Sequence, residues 1–248
     1  MSDLSGRTTI VVGASRGLGR GIATALAAAG APVVAVARTA GAFTEQTGGA
    51  GPIHQEVADA GDASVAGTLL DRHEPDAVIL VAGATPLPRP LQHQTWETFS
   101  VNWNTDVRIT FHWLREVLLR PLRPGSRVVV VSSGAALAGS PLSGGYAGAK
   151  ATQRFLTGYA QDEANRAGLG ITFSAVLPRL TPMTDLGRPA VRAYAARSGQ
   201  SEEEYVRQMG EPLTPEAAGA AMVELVRMDA GSVAPAYLLT GGGLQRLP

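Results

Sequence analysis

Short apolar runs recur along this chain, and the gap between one run and the next is usually the length of an amphipathic helix. The runs at 8–12, 33–37, 77–81, 127–132 and 171–176 are strand-sized and almost continuously apolar, and a short strand is read at 52–55 and a last one at 236–239. A strand that is apolar at every position must be covered on both faces, which antiparallel meanders rarely provide and parallel sheets with crossover helices do. Helical patterns fill the gaps at 17–29, 62–73, 96–119, 144–167 and 215–228. Right-handed crossovers then predict an α/β fold with a doubly wound parallel sheet of about seven strands and helices on both faces. Two stretches break the rhythm. The segment 39–51 is rich in Gly and Thr and reads as a loop where a crossover helix would otherwise stand. The segment 181–212 holds Pro182, Pro189 and Pro212, with weak helical periodicity around 190–197 and 202–209. It follows a strand and so lies at the carboxyl edge of the sheet, where a mobile substrate lid is the expectation and an irregular surface connection the alternative.

Composition narrows what such a fold can do. The chain has 248 residues, 45% of them hydrophobic, and a formal net charge of zero. That is enough for one sizeable core, with no basic excess to hold nucleic acid or an anionic membrane surface. There is no cysteine, which removes disulfides and thiolate chemistry. The histidines stand singly at positions 54, 73, 93 and 112, without metal-ligand spacing. Neither a signal-peptide pattern nor an apolar run long enough to span a bilayer is present, so a cytoplasmic protein is expected.

The first strand runs into Gly13-Ala-Ser-Arg-Gly17-Leu-Gly19 and then directly into a helix. Glycines at these points allow a tight turn, close approach of a pyrophosphate to the backbone, and close packing of helix on strand. The helix N-terminus offers free N–H groups and a positive dipole end to phosphate oxygens. The second strand ends at Ala37-Arg38. An acid there would bind an adenosine ribose and repel a 2′-phosphate, whereas Arg38 and Arg16 could pair with that phosphate. The cofactor expectation is therefore NADP(H). Glu56, after the short third strand, is expected beside the adenine amino group.

Of 21 basic residues a single one is lysine, Lys150, and it stands four residues after Tyr146 in a helical segment. This spacing puts both side chains on one helix face. Tyrosine has an ordinary pKa near ~10, and an adjacent ammonium favours its phenolate, which moves it towards the working range of an acid/base catalyst. Ser133 ends the fifth strand thirteen residues before Tyr146. A hydroxyl there can donate to a carbonyl oxygen. Its neighbour Ser132 should point to the opposite face.

In order and spacing, the glycine cradle, Asn102 in the long middle helix, Ser133 and Tyr146-x-x-x-Lys150 resemble the classical branch of the short-chain dehydrogenase/reductase family, over nearly the whole chain. The resemblance implies a single-domain Rossmann fold over residues 1–248. It implies that Tyr146 exchanges a proton with a carbonyl or alcohol oxygen, that Ser133 polarises that oxygen, and that Lys150 holds the nicotinamide ribose. Asn102 would hold a water linking Lys150 to solvent. Cofactor contacts are implied at Gly13, Ser15, Arg16, Gly17, Leu18 and Gly19, at Arg38, Glu56 and Val57, at Ala82 and Gly83, and at Tyr146, Lys150 and Pro178. The partner would be a small-molecule substrate, with assembly into homodimers or homotetramers through the helical segments 96–119 and 144–167.

The chain departs from the family pattern in three places. Leu80-Val81-Ala82-Gly83 stands where the family has Asn-Asn-Ala-Gly, Pro178-Arg179 where it has Pro-Gly, and Thr240-Gly241-Gly242 where it has Asp-Gly-Gly. Side-chain bonds that brace the central sheet must then come from elsewhere. Three functions stay open at this stage: an NADPH-dependent ketone reductase, the same fold and cofactor with a different reaction (reduction of C=C or C=N, dehydration, epimerisation), and a sensor that binds NADP(H) without turnover.

Overall fold

The structure, a computed structural model, describes residues 4–40 and 51–248. Most of the expected loop at 39–51 lies outside the described residues. Eight strands form one sheet: β1 (Thr9–Val12), β2 (Val33–Ala37), β3 (Ile53–Val57), β4 (Ala77–Leu80), β5 (Arg127–Val131), β6 (Thr172–Pro178), β7 (Ala236–Thr240) and β8 (Gly243–Leu247), in the spatial order β3-β2-β1-β4-β5-β6-β7-β8. All neighbours pair in parallel except β7 and β8. The sheet is doubly wound as expected, with one strand more than the seven read from sequence. β8 is half exposed and polar enough (Gly-Leu-Gln-Arg-Leu) to carry no strand signal of its own. It is held by a two-residue hairpin turn, Gly241-Gly242, whose composition suits the tight turns that join antiparallel strands.

Helices α1 (Gly17–Ala28) and α9 (Pro215–Arg227) cover one face; α2 (Ala63–His73), α4 (Arg108–Leu119) and α6 (Tyr146–Arg166) cover the other. The pleat of the strands divides the core between them. Val11, Ala35, Ile79 and Val129 pack towards α1 and α9, while Ile10, Val34, Val78 and Val128 pack towards the opposite helices. Each buried Val or Ile among them contributes on the order of 1.5–3 kcal/mol. Trp113 is fully buried on α4 and donates its indole N–H to Ala60 O at 3.2 Å, which ties the loop after β3 to that helix.

The helical stretch read at 96–119 is not uniform. Helix α3 (Trp96–Asn102) widens into a π-helical turn at Trp103–Val107 before α4 begins. Such wide turns inside helices are often found at functional sites. Helix α5 (Ala135–Ala138) is a single turn after β5. In the stretch 181–212, α7 (Gly187–Ser198) and α8 (Glu202–Gln208) form where weak periodicity suggested helices. Ser201 and Glu204 form a capping box at the start of α8.

Candidate active site

Strand order reverses between β1 and β4, and the carboxyl ends of the strands open there onto a cleft of about 750 Å³. That is where doubly wound sheets hold ligands, and the volume suits a small organic molecule. One wall is the turn after β1. Gly13 has φ +92° and Gly17 φ +54°, a region open to glycine. A Cβ on Gly19 would stand 2.1 Å from Gly13 O, and one on Gly13 would stand 2.6 Å from Ala82 N. The first turn of α1 receives no side-chain cap from Arg16. Its N–H groups are the free donors that a phosphate group would accept from. Gly13, Ser15, Arg16, Gly17, Leu18 and Gly19 line this wall, joined by Arg38 at the end of β2 and by Ala82 and Gly83 after β4. A glycine cradle in which no side chain fits, fronting an uncapped helix end, suits a dinucleotide pyrophosphate.

The opposite wall brings Ser133, Tyr146, Lys150 and Pro178 to the same cleft. Tyr146 is the first residue of α6 and Lys150 follows one turn later, with its Nζ 5.5 Å from the centre of the Tyr146 ring. Ser132 turns away, as alternation requires, and its Oγ donates to Lys150 O at 2.7 Å. That bond fastens the end of β5 to α6 and fixes where Ser133 stands relative to Tyr146. Ser133 Oγ accepts from Ala135 N at 3.2 Å, which leaves its hydroxyl hydrogen available to a ligand oxygen.

Lys150 is 4% exposed, and its ammonium stands 3.1 Å from Asp106 Oδ2 and 3.4 Å from Val131 O. Burial opposes the ammonium charge, but the Asp106 carboxylate, Tyr146 and the hydrogen bond to Asp106 outweigh it and hold Lys150 above the usual lysine range. Asp106, in the π-helical turn, is fully buried, and its Oδ1 accepts from Ala84 N at 2.8 Å. Asn102 is fully buried one turn earlier; its Nδ2 donates to Ala84 O at 2.7 Å and to Asp106 Oδ1 at 3.3 Å, and its Oδ1 has no partner among the described residues. Together Asp106 and Asn102 brace the Gly83-Ala84 backbone.

Two expected cofactor contacts fall elsewhere. Glu56 and Val57 do not line the cleft. Register with β2 turns Glu56 towards α2, where its Oε1 accepts from Arg72 and stands 2.9 Å from His73 Nε2. Slight burial works against the Glu56 charge, but the bonds from His73 and Arg72 hold its carboxyl below the ordinary range. Ala58, Asp59 and Ala60 line the cleft instead, and Asp59 Oδ1 accepts from Gly61 N at 2.9 Å. Asn102 lies behind the cleft wall rather than on it. Sequence reading passed over Asp106 and Asp59. An acid four residues after Asn102, one helical turn away and on the same face, was the available signal for the first.

The protein-family model described as short chain dehydrogenase matches residues 7–195. The chain belongs to the short-chain dehydrogenase family. It is therefore one of the oxidoreductases that work with a nicotinamide cofactor. Two relatives of this dehydrogenase are a hydroxynaphthalene reductase-like protein Arp2 from Metarhizium majus, 28% identical over 71% of this chain and 68% of the relative, and a 2,5-dichloro-2,5-cyclohexadiene-1,4-diol dehydrogenase from Sphingobium indicum, 32% identical over 74% of this chain and 76% of the relative. The fold matches a short chain dehydrogenase from Mycobacterium avium with a TM-score of 0.76 at 23% identity, over 100% of this chain and 86% of that one. It also matches a dehydrogenase/reductase from Sinorhizobium meliloti 1021 with a TM-score of 0.75 at 25% identity, over 97% and 96% of the two chains. Among the described residues of this dehydrogenase, no helix is long and apolar enough to cross a membrane.

Proposed function

We propose that this dehydrogenase is an NADPH-dependent reductase of ketones. The observation that carries the reading is convergence: Ser133, Tyr146 and Lys150 share one cleft with the glycine cradle at the end of β1. A bound nicotinamide would supply the hydride that adds to the carbonyl carbon. The work of the chain is to hold the carbonyl and to manage its proton. Ser133 donates a hydrogen bond to the carbonyl oxygen, and Tyr146 gives that oxygen its phenolic proton. Lys150 stands beneath the Tyr146 ring, where a cation stabilises the phenolate left behind.

The preference for the phosphorylated cofactor rests on Arg38 and Arg16. Both line the cleft, Arg38 just after β2 and Arg16 at the start of α1 with its guanidinium 3.9 Å from Asp185, and no acid stands at the end of β2. Asp59, rather than Glu56, then takes the place beside the adenine. The substrate end is apolar: Leu137, Leu142, Leu186, Tyr194 and Tyr205 line it. Residues 181–212 act as a lid in this reading. Tyr194 O–H lies 2.5 Å from Ser140 Oγ and accepts from Leu142 N at 3.2 Å, so α7 is fastened across the mouth, and Tyr194 stacks on Tyr205 of α8. The lid residue Met183 faces solvent instead. The relatives' names both refer to ring compounds, which supports cyclic ketones as substrates.

Titration with NADPH and with NADH, followed by nicotinamide fluorescence, tests the reading when a panel of acyclic and cyclic ketones is added afterwards. Tighter binding of NADPH and its oxidation on ketone addition is the expected result. Equal binding of both nucleotides overturns the cofactor preference. Tight NADPH binding with no oxidation by any ketone overturns the reductase reading in favour of a different reaction or a sensor.

A further inference from the structure

Asp106 has no role in the reading above, yet it is buried within reach of the proton-handling groups. Its carboxylate is fully buried, 3.1 Å from Lys150 Nζ, and it takes hydrogen bonds from Ala84 N and Asn102 Nδ2. The room for it is specific: a Cβ on residue 83 would stand 2.7 Å from Asp106 Oδ2, so Gly83 is what lets the carboxylate sit there. The π-helical turn at Trp103–Val107 carries the side chain inward, and Gln153 Nε2 pins that turn by donating to Asp106 O at 3.2 Å.

We propose that Asp106 is a positioning residue that balances the charge of Lys150, opposes ionisation of Tyr146, and so keeps the proton donor loaded to higher pH. The inference rests on the reading of Tyr146 as proton donor. Lys150 and Asp106 are buried and Tyr146 is half-buried at the cleft wall, so the net charge of the three is incompletely screened by water. With Tyr146 protonated, Lys150 and Asp106 cancel. When Tyr146 gives up its proton the cluster becomes singly negative. Without the Asp106 charge the same step would take the cluster from singly positive to neutral. Creating an unbalanced charge in a poorly solvated place costs more than removing one, so Asp106 keeps the donor protonated to higher pH.

The charged groups felt by the ammonium are Asp106 from the π-helical turn and Tyr146 from its own helix. Val131 and Ser132 of the β5 end, Asn102 of α3 and Gln153 of α6 present neutral atoms to this cluster. Arg16, Arg38, Asp59, Arg179 and Asp185 line the cleft walls from the ends of the other strands and from the lid, as do Tyr194 and Tyr205.

Asp106→Asn keeps an acceptor for Ala84 N and removes the charge. The phenolate absorbance of Tyr146 in the full-length protein, isolated by subtracting the Tyr146→Phe counterpart, is followed against pH without cofactor or substrate. The ionisation is expected to move to lower pH by about one unit or more in Asp106→Asn. The high-pH loss of ketone-reducing activity should move with it. An ionisation that stays in place or rises overturns the proposal and leaves the reductase reading untouched. If the ionisation moves but the activity profile does not, Tyr146 is not the donor and the reductase reading fails together with this role of Asp106. Should Asp106→Asn not fold, Lys150→Met and the double variant Asp106→Asn/Lys150→Met give the same comparison. Tyr146 is expected to ionise at higher pH in the variant that keeps the carboxylate; coincident curves overturn the proposal.

Discussion

Arg38 decides, in the proposed reading, which nicotinamide cofactor this dehydrogenase takes. It is exposed at the end of β2 and forms no ion pair among the described residues, so its charge is available to a 2′-phosphate. A hydrogen bond between charged groups contributes about 1.5–3 kcal/mol, roughly 10- to 150-fold in binding. Arg38→Asp is therefore expected to weaken NADPH binding by at least about tenfold and to leave NADH binding nearly unchanged; equal losses in a fluorescence titration would remove the 2′-phosphate role. At this scale the sequence was legible wherever a residue type is tied to a backbone need or to a fixed helical spacing. Gly13, Gly17 and Gly19 and the pair Tyr146 and Lys150 are of that kind. It was not legible where one step of strand register decides which face a side chain joins. Glu56 and Asp59 are both acids close to the end of β3, and only their placement shows that the first belongs to α2 and the second to the cleft. Asp106 was hidden for a related reason: a single acid on a helix usually faces water, and what buries this one is a wide helical turn together with a cation from another helix.

Among the elements, the long helices beside the cleft carry a second expectation. Trp103 and Phe111 on the α3–α4 stretch are 41% and 49% exposed, and Phe155 and Tyr159 on α6 are each 61% exposed. Phe155 and Tyr159 stack with their ring centroids 6.5 Å apart. Aromatic groups of this size facing water on neighbouring helices support self-association through that face, as the family resemblance implied. Sedimentation at micromolar concentration should give a dimer or tetramer, and Phe155→Glu should shift it towards the monomer; a wild-type monomer would contradict the assignment. Strands β1, β2 and β4 to β7 and the main helices could be read from apolar runs and from 3.6-residue periodicity, while the polar β3 was read only as a short strand at 52–55. β8 could not, because it is short and amphipathic and owes its place to the Gly241-Gly242 turn and to the free edge of β7. The wide turn between α3 and α4 left no mark on periodicity either, since it adds only a local change in winding.

At the level of the whole molecule, topology brings the chemistry together. The cradle follows β1, the β4 turn carries Ala82 and Gly83, Ser133 follows β5, and Tyr146 and Lys150 sit at the start of α6. These segments are far apart in sequence. They meet because the strand order reverses between β1 and β4 and all these strands point the same way. The central claim is that this cleft reduces a carbonyl with Tyr146 as the proton donor. The most direct test is NADPH oxidation by wild type and by Tyr146→Phe, at saturating ketone, with NADPH affinity measured on both. The account predicts similar NADPH binding and a loss of turnover on the order of 100-fold or more in Tyr146→Phe. Turnover close to wild type in Tyr146→Phe, with NADPH binding intact, would contradict it.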